Sequence, residues 1–239
     1  MHFPARFVGP MPDWANGGVV CGTLAEALGP GPATVRLERP IPIESQLSLE
    51  VVADAVELRD RVGDRLAVAR RAEPLDLDAI GLPAFAGTEA ASGTVSVVPR
   101  HEHPAAGCFV CGPQHPSGLD LQPGPVADGI CLATTLHLRD DLALGEEGEV
   151  TLPVVWAAMD CPGWYAGCGG EMALLGTMTA QQFAPVRSGD DVVVQAWRRA
   201  RDGRKVSVGA ALYATDGTLL AAAEAVWILT PNLTDRRPG

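Results

Sequence analysis

The sequence predicts an α+β protein made of two copies of one unit, a helix followed by an antiparallel meander. Three observations lead there. Strand-like runs at Gly176 to Val186, Asp191 to Ala200, Lys205 to Thr215 and Thr218 to Leu229 are joined by short turns rich in Gly and Asp, the chemistry that closes hairpins. The same order, helix and then strands, recurs in the first half. Finally, Arg39-Pro40-Ile41-Pro42-Ile43-Glu44-Ser45-Gln46 parallels Phe183-Ala184-Pro185-Val186-Arg187-Ser188-Gly189-Asp190, and the later turns Arg59 to Arg65 and Arg201 to Arg204 occupy corresponding places. Duplication explains this most economically.

In the C-terminal copy, Pro153 to about Tyr165 reads as a helix: Pro153 suits a first turn, Val154, Val155, Ala158 and Met159 make an apolar face, and Pro162-Gly163 weakens the far end. In the N-terminal copy the helix runs from Asn16 to Leu28 and stops at Gly29-Pro30-Gly31-Pro32. Strands follow near Ala33 to Arg39, Gln46 to Asp54 and Arg65 to Arg71, with a last one near Thr94 to Val98. The Pro-, Gly- and Ala-rich stretches Glu73 to Gly93 and Pro99 to Gly107 read as linker and surface loop. A boundary near residue 102 gives units 1–102 and 103–239.

Composition narrows the function. At 239 residues with 47% hydrophobic and 20% charged residues, the chain can bury a sizeable core. No apolar run is long enough for a membrane span, and Met1 to Phe7 lacks the apolar stretch of a secretory signal, so a cytoplasmic protein is expected. Six cysteines are too few for a disulfide scaffold in a chain of this length and suit a reducing compartment. A net charge of −11 with a single lysine argues against nucleic acid. Arginines gather at Arg59 to Arg71 and Arg198 to Arg204, where they could receive phosphates, although such runs are more often solvated strand ends.

The most distinctive segment is Cys108-Phe109-Val110-Cys111-Gly112-Pro113-Gln114-His115-Pro116-Ser117-Gly118-Leu119. It resembles the opening segment of hotdog thioesterase-like proteins, in which the position of His115 is commonly Asn. Asn16-Gly17-Gly18 is similar to the His-Gly-Gly or Asn-Gly-Gly start of the central helix in the same superfamily. The resemblance implies a double hotdog, with two antiparallel sheets each wrapping a central helix. It also implies hydrolysis of an acyl thioester, with coenzyme A entering only as part of the substrate, no separate cofactor, and assembly as a homodimer.

In such a site, backbone N–H groups at the helix start polarise the thioester carbonyl, and a carboxylate from the facing helix acts as general base toward water or as nucleophile. The family pattern puts the acid nine positions after the first residue of the glycine motif. Counting back from Asp160 reaches Thr151, followed by Leu152-Pro153 rather than two glycines; counting on from Asn16 reaches Ala25, with Glu26 one place further. One half keeps the acid and the other the glycines. The expectation is therefore one composite site, with Gly17, Gly18 and Asp160 catalytic and Asn16 orienting, and a degenerate counterpart near Glu26 and Thr151. Trp156, with Trp14, Trp164 and Tyr165, is a candidate for the acyl pocket.

Bland alternatives stand beside these. Asp160 could be satisfied by backbone N–H groups near Pro162-Gly163, the glycines could serve packing alone, and the tryptophans could be plain core. The pair Cys108 and Cys111 has zinc-ligand spacing, yet no second such pair occurs and Cys161 and Cys168 lie far along the chain, so no metal is expected and buried thiols are the simpler reading. Among functions, the main rival is a non-catalytic acyl-CoA or lipid-binding protein. A dehydratase or hydratase of the same fold is disfavoured, since Ser188-Gly189-Asp190-Asp191 lacks the Asn-Pro and His that should follow.

Overall fold

The computed structural model describes residues 1–126, 129–142, 148–230 and 233. In chain order the elements are α1 (Gly17–Leu28), β1 (Ala33–Leu37), β2 (Ser48–Val52), β3 (Ala55–Arg59), β4 (Arg65–Arg71), α2 (Thr88–Ser92), β5 (Gly124–Val126), β6 (Cys131–His137), α3 (Leu152–Cys168), β7 (Ala173–Gln182), β8 (Asp191–Asp202), β9 (Lys205–Ala214) and β10 (Leu219–Leu229). Each half supplies one long helix and an antiparallel meander.

The halves differ from the expected pair of separate sheets, because their strands form one sheet in the order β2-β3-β4-β1-β7-β10-β9-β8-β6-β5. The junction is the antiparallel pair β1 and β7, running from Ala33 opposite Ala180 to Arg36 opposite Thr177, with the Thr34 and Thr179 hydroxyls 2.8 Å apart. An uncovered edge carries a row of unpaired N–H and C=O groups. Pairing the two edges satisfies both.

Several bounds move for physical reasons. The run Gln46 to Asp54 stops early because the chain turns at Ala53, which takes φ 55°, and β3 returns along β2 with Val52 opposite Ala55. Helix α3 continues through Pro162 to Cys168 and is capped by Gly169 at φ 57°. Nearly every residue from Val154 onward is buried, and a helix apolar all round is held by packing more than by propensity. Gly163 and Gly167 make that packing close: an added Cβ would lie 2.9 Å and 2.5 Å from Val208 methyls. The segment Thr94 to Val98 forms no regular strand. It lies instead against β5, where an added Cβ on Gly124 would sit 2.1 Å from the Val95 carbonyl oxygen.

Inner-facing residues of β8 and β9, among them Val192, Val194, Val208 and Leu212, join the core that contains both long helices. Outer-facing Val193, Trp197, Ala211 and Tyr213 meet Ile80 and Ala91 in a second cluster. The stretch read as a loose linker is thus a cover over the outer face of the C-terminal strands. Gln195, fully buried, accepts from the Ala86 N–H at 2.8 Å and donates to the Ala84 carbonyl at 3.1 Å. The Trp197 indole donates to the Ile80 carbonyl at 2.9 Å.

The long helices pack directly on one another. A Cβ on Gly18 would lie 2.7 Å from Ala157 Cα and 2.6 Å from Asp160 Cβ, and one on Gly22 would lie 2.4 Å from Pro153 Cα. Contacts that advance along α1 while retreating along α3 mean the helices run antiparallel. The start of α1 therefore faces the middle of α3, where Asp160 sits.

Candidate active site

Asn16 caps α1. Its Oδ1 accepts from the Val19 N–H at 3.0 Å, the usual role of Asn at this position, which leaves Nδ2 free to point across the helix interface. There it donates to Asp160 Oδ2 at 3.1 Å, and the Gly18 N–H donates to the same oxygen at 2.9 Å. Asp160 is 2% exposed, and its other oxygen, Oδ1, is buried with no partner among the described residues. Burial pushes the Asp160 carboxyl up to about 7, against the opposing pull of the Gly18 and Asn16 donors. The groups that satisfy Asp160 come from the other half of the chain, not from the Pro162-Gly163 stretch of its own helix.

The carboxylate borders a cavity of about 240 Å³. Asn16 and Gly17 lie in its wall with Trp14, Leu37, Ile41, Trp164, Leu175 and Trp227, a mostly apolar lining. A second cavity of about 510 Å³ adjoins it and shares Pro10, His103, Pro104, Ala105 and Met172. The Gly17 N–H belongs to the first turn of α1, where no intrahelical acceptor exists. Gly18 differs from expectation: its N–H is engaged by the carboxylate rather than turned to the cavity.

The seven candidates from the sequence are placed as follows. Asn16, Gly17, Gly18 and Asp160 come together across the helix interface. Glu26 is exposed near the end of α1, and Thr151 caps α3 without a side-chain hydrogen bond. Neither lines the cavity, and the start of α3 is filled by Pro153 lying against Gly22. Trp156 is 2% exposed within the core and is absent from the cavity wall, a place taken by Trp14, Trp164 and Trp227.

Other residues at the cavity were not assigned to the site from the sequence. His103 is buried, with Nδ1 accepting from the Ala105 N–H at 3.1 Å and Nε2 without a partner among the described residues. Burial lowers its pKa, so the ring is neutral, and an accepting Nδ1 puts the proton on Nε2. Cys108, Cys111 and Cys161 also gather here, all buried thiols. Cys108 is held toward the thiolate by hydrogen bonds from the Cys111 and Cys161 thiols.

The arginine clusters are largely spent on structure. Arg65 pairs with Glu38 and Glu57, Arg59 with Glu50 and Glu57, and Arg199 with Glu224. Arg71 donates to the carbonyls of Leu28, Gly29 and Pro30. These groups secure strand ends and a helix terminus.

Comparison with protein-family models gives no match, and no curated protein matches. Solved structures do match along the whole chain. The protein provisionally assigned as the oleoyl thioesterase of Lactobacillus plantarum superposes with a TM-score of 0.57 at 10% identity, covering 97% of this chain and 95% of that one. The tesB protein of Mycobacterium avium subspecies paratuberculosis gives 0.57 at 10% identity over 97% and 91%. A hot dog fold protein of unknown function from Alicyclobacillus acidocaldarius gives 0.56 at 12% identity over 96% and 91%. The chain has the double hotdog fold, the architecture it shares with these structures over their full length. At such identities the likeness establishes the fold, and the site must speak for the chemistry.

Proposed function

We propose that the protein hydrolyses an acyl thioester, with coenzyme A as the carrier, at the single composite site between its halves. The observation that carries the reading is the state of Asp160: one oxygen is anchored by Asn16 and Gly18 while the other has no partner beside an apolar cavity. A general base needs that arrangement, a fixed carboxylate with one oxygen left for water.

In the proposed reaction the acyl group lies in the 240 Å³ cavity, whose size suits a short or compact acyl group rather than a long chain, and the carrier leaves through the adjoining cavity. Asp160 Oδ1 accepts a proton as a water oxygen attacks the carbonyl carbon. The developing oxyanion is met by the Gly17 N–H at the start of α1 and by the neutral His103 Nε2–H. The carbon–sulfur bond then breaks, giving a carboxylic acid and a thiol that takes back the proton.

Engagement of the Gly18 N–H favours a second reading, an acyl-thioester-binding protein without turnover. Thiol release from short, aromatic and long acyl-CoAs separates the two. Hydrolysis of one class, lost by about 10² or more in Asp160→Asn while calorimetric binding persists, supports the enzyme; binding with no thiol release by the wild type supports the binder.

We also propose a homodimer acting in the cytoplasm. Strand β2 ends the sheet with Val51 and Val52 exposed, and C2 pairing is the commonest closed arrangement. No helix among the described residues is long and apolar enough to cross a membrane. A dimer mass in light scattering is expected, and a monomer at micromolar concentration would contradict it.

A further inference from the structure

The cysteine cluster has a geometry that the hydrolytic reading does not use. The Sγ atoms of Cys108, Cys111 and Cys161 all lie within 4.8 Å of one another, and those of Cys108 and Cys161 are 3.8 Å apart. Zinc–sulfur bonds of about 2.3 Å in a tetrahedron place any two sulfurs roughly 3.8 Å apart. The trio therefore needs only a small contraction about Cys111 to hold one ion.

The backbone that presents the sulfurs is firmly built. The Gly112 N–H donates to the Cys108 carbonyl at 2.8 Å, and the Cys108 N–H to that of Ala105 at 2.9 Å. A Cβ on Gly112 would lie 2.3 Å from the Cys108 nitrogen, so this turn admits only glycine. Cys161 is delivered by α3, one residue after Asp160.

The same cavity wall also holds unpartnered polar atoms. Asp160 Oδ1 is buried without a partner among the described residues, and Asp160 and all three cysteines line the same cavity. His103 Nε2 is similarly orphaned, but with Nδ1 accepting a hydrogen bond it carries a proton and cannot ligate. That leaves three sulfur ligands on the wall of the cavity that Asp160 also lines.

We propose that Cys108, Cys111 and Cys161 bind one zinc-like divalent ion, with the fourth position open to water or substrate. Three thiolates select soft or borderline ions such as zinc over magnesium or calcium. An open fourth position is the mark of a reactive rather than purely structural site. The assignment stands apart from the hydrolytic reading, and its test reads metal instead of turnover.

The protein is purified under reducing conditions and its metal content measured by mass spectrometry; cobalt is then titrated into the chelated, metal-free form. About one zinc per chain is expected, together with thiolate-to-cobalt charge-transfer bands and the strong visible bands of tetrahedral cobalt. Cys108→Ser and Cys161→Ser should each weaken cobalt binding by roughly tenfold or more, whereas Cys131→Ser, outside the cluster, should leave it unchanged. Wild-type protein that is folded and fully reduced, yet carries no zinc and shows no charge-transfer band in excess cobalt, overturns the proposal. So does a band undiminished in folded Cys108→Ser.

Discussion

At the scale of single residues, the Asp160 carboxylate is gripped from the opposite half of the chain. Asn16 can be replaced by Asp or Ser and still cap α1, but neither offers an amide donor to Asp160 Oδ2. Asn16→Ser is therefore expected to leave the melting temperature within a few degrees of wild type while cutting thiol release by about tenfold, and equal activity would exclude an orienting role. Gly18→Ala should act differently, since its Cβ would press on Ala157 and Asp160 at 2.7 and 2.6 Å. A destabilisation of about 1–3 kcal/mol in denaturant titration is expected. The meeting of Asn16, Gly17, Gly18 and Asp160 was legible because motif spacing assigns the acid to one half and the glycines to the other. The convergence of Cys161 on Cys108 and Cys111 was not. It depends on which turn of α3 faces the Cys108 loop, a tertiary fact that spacing does not carry.

At the scale of elements, turns with ordinary chemistry were legible and exceptions were not. The joints at Gly189, Gly203 and Gly217 all take positive φ and sit between strands as expected. Strand β3 was hidden because its turn uses Ala53 at φ 55° where glycine or asparagine would advertise a hairpin. Strands β5 and β6 lack alternation, and residues 127 and 128 between them lie outside the described residues. The cover over the outer sheet face was hidden too, since Leu75, Leu77, Ile80, Leu82 and Phe85 are spread among prolines and acids. If this cover is structural, Ile80→Ala should cost about 2–4 kcal/mol, as for a buried aliphatic truncation, because Ile80 is 2% exposed. A change below about 0.5 kcal/mol would mean the segment is a loose surface loop.

At the scale of the whole molecule, the two halves of the chain depend on each other. They share a sheet through β1 and β7, they share the helix interface, and residues 75–91 of the first half cover strands of the second. Unfolding is expected to be a single transition, with tryptophan fluorescence and far-ultraviolet circular dichroism coincident; two separated transitions would contradict this coupling. For the same reason a fragment of residues 103–239 should expose Val193, Trp197 and Tyr213, bind a hydrophobic dye and aggregate. The two ends of the helix pair also differ. At one end of the helix pair the amides meet a carboxylate, while at the other Pro153 fills the space against Gly22.

In the proposed reaction Asp160 activates water directly. Single-turnover hydrolysis of the preferred acyl-CoA in heavy-oxygen water tests it, with both the acid product and the Asp160-containing peptide weighed by mass spectrometry. One heavy oxygen is expected in the acid and none in Asp160. Heavy oxygen in the Asp160 carboxyl would show attack by the carboxylate itself, and absence of any acid product would remove the catalytic reading altogether.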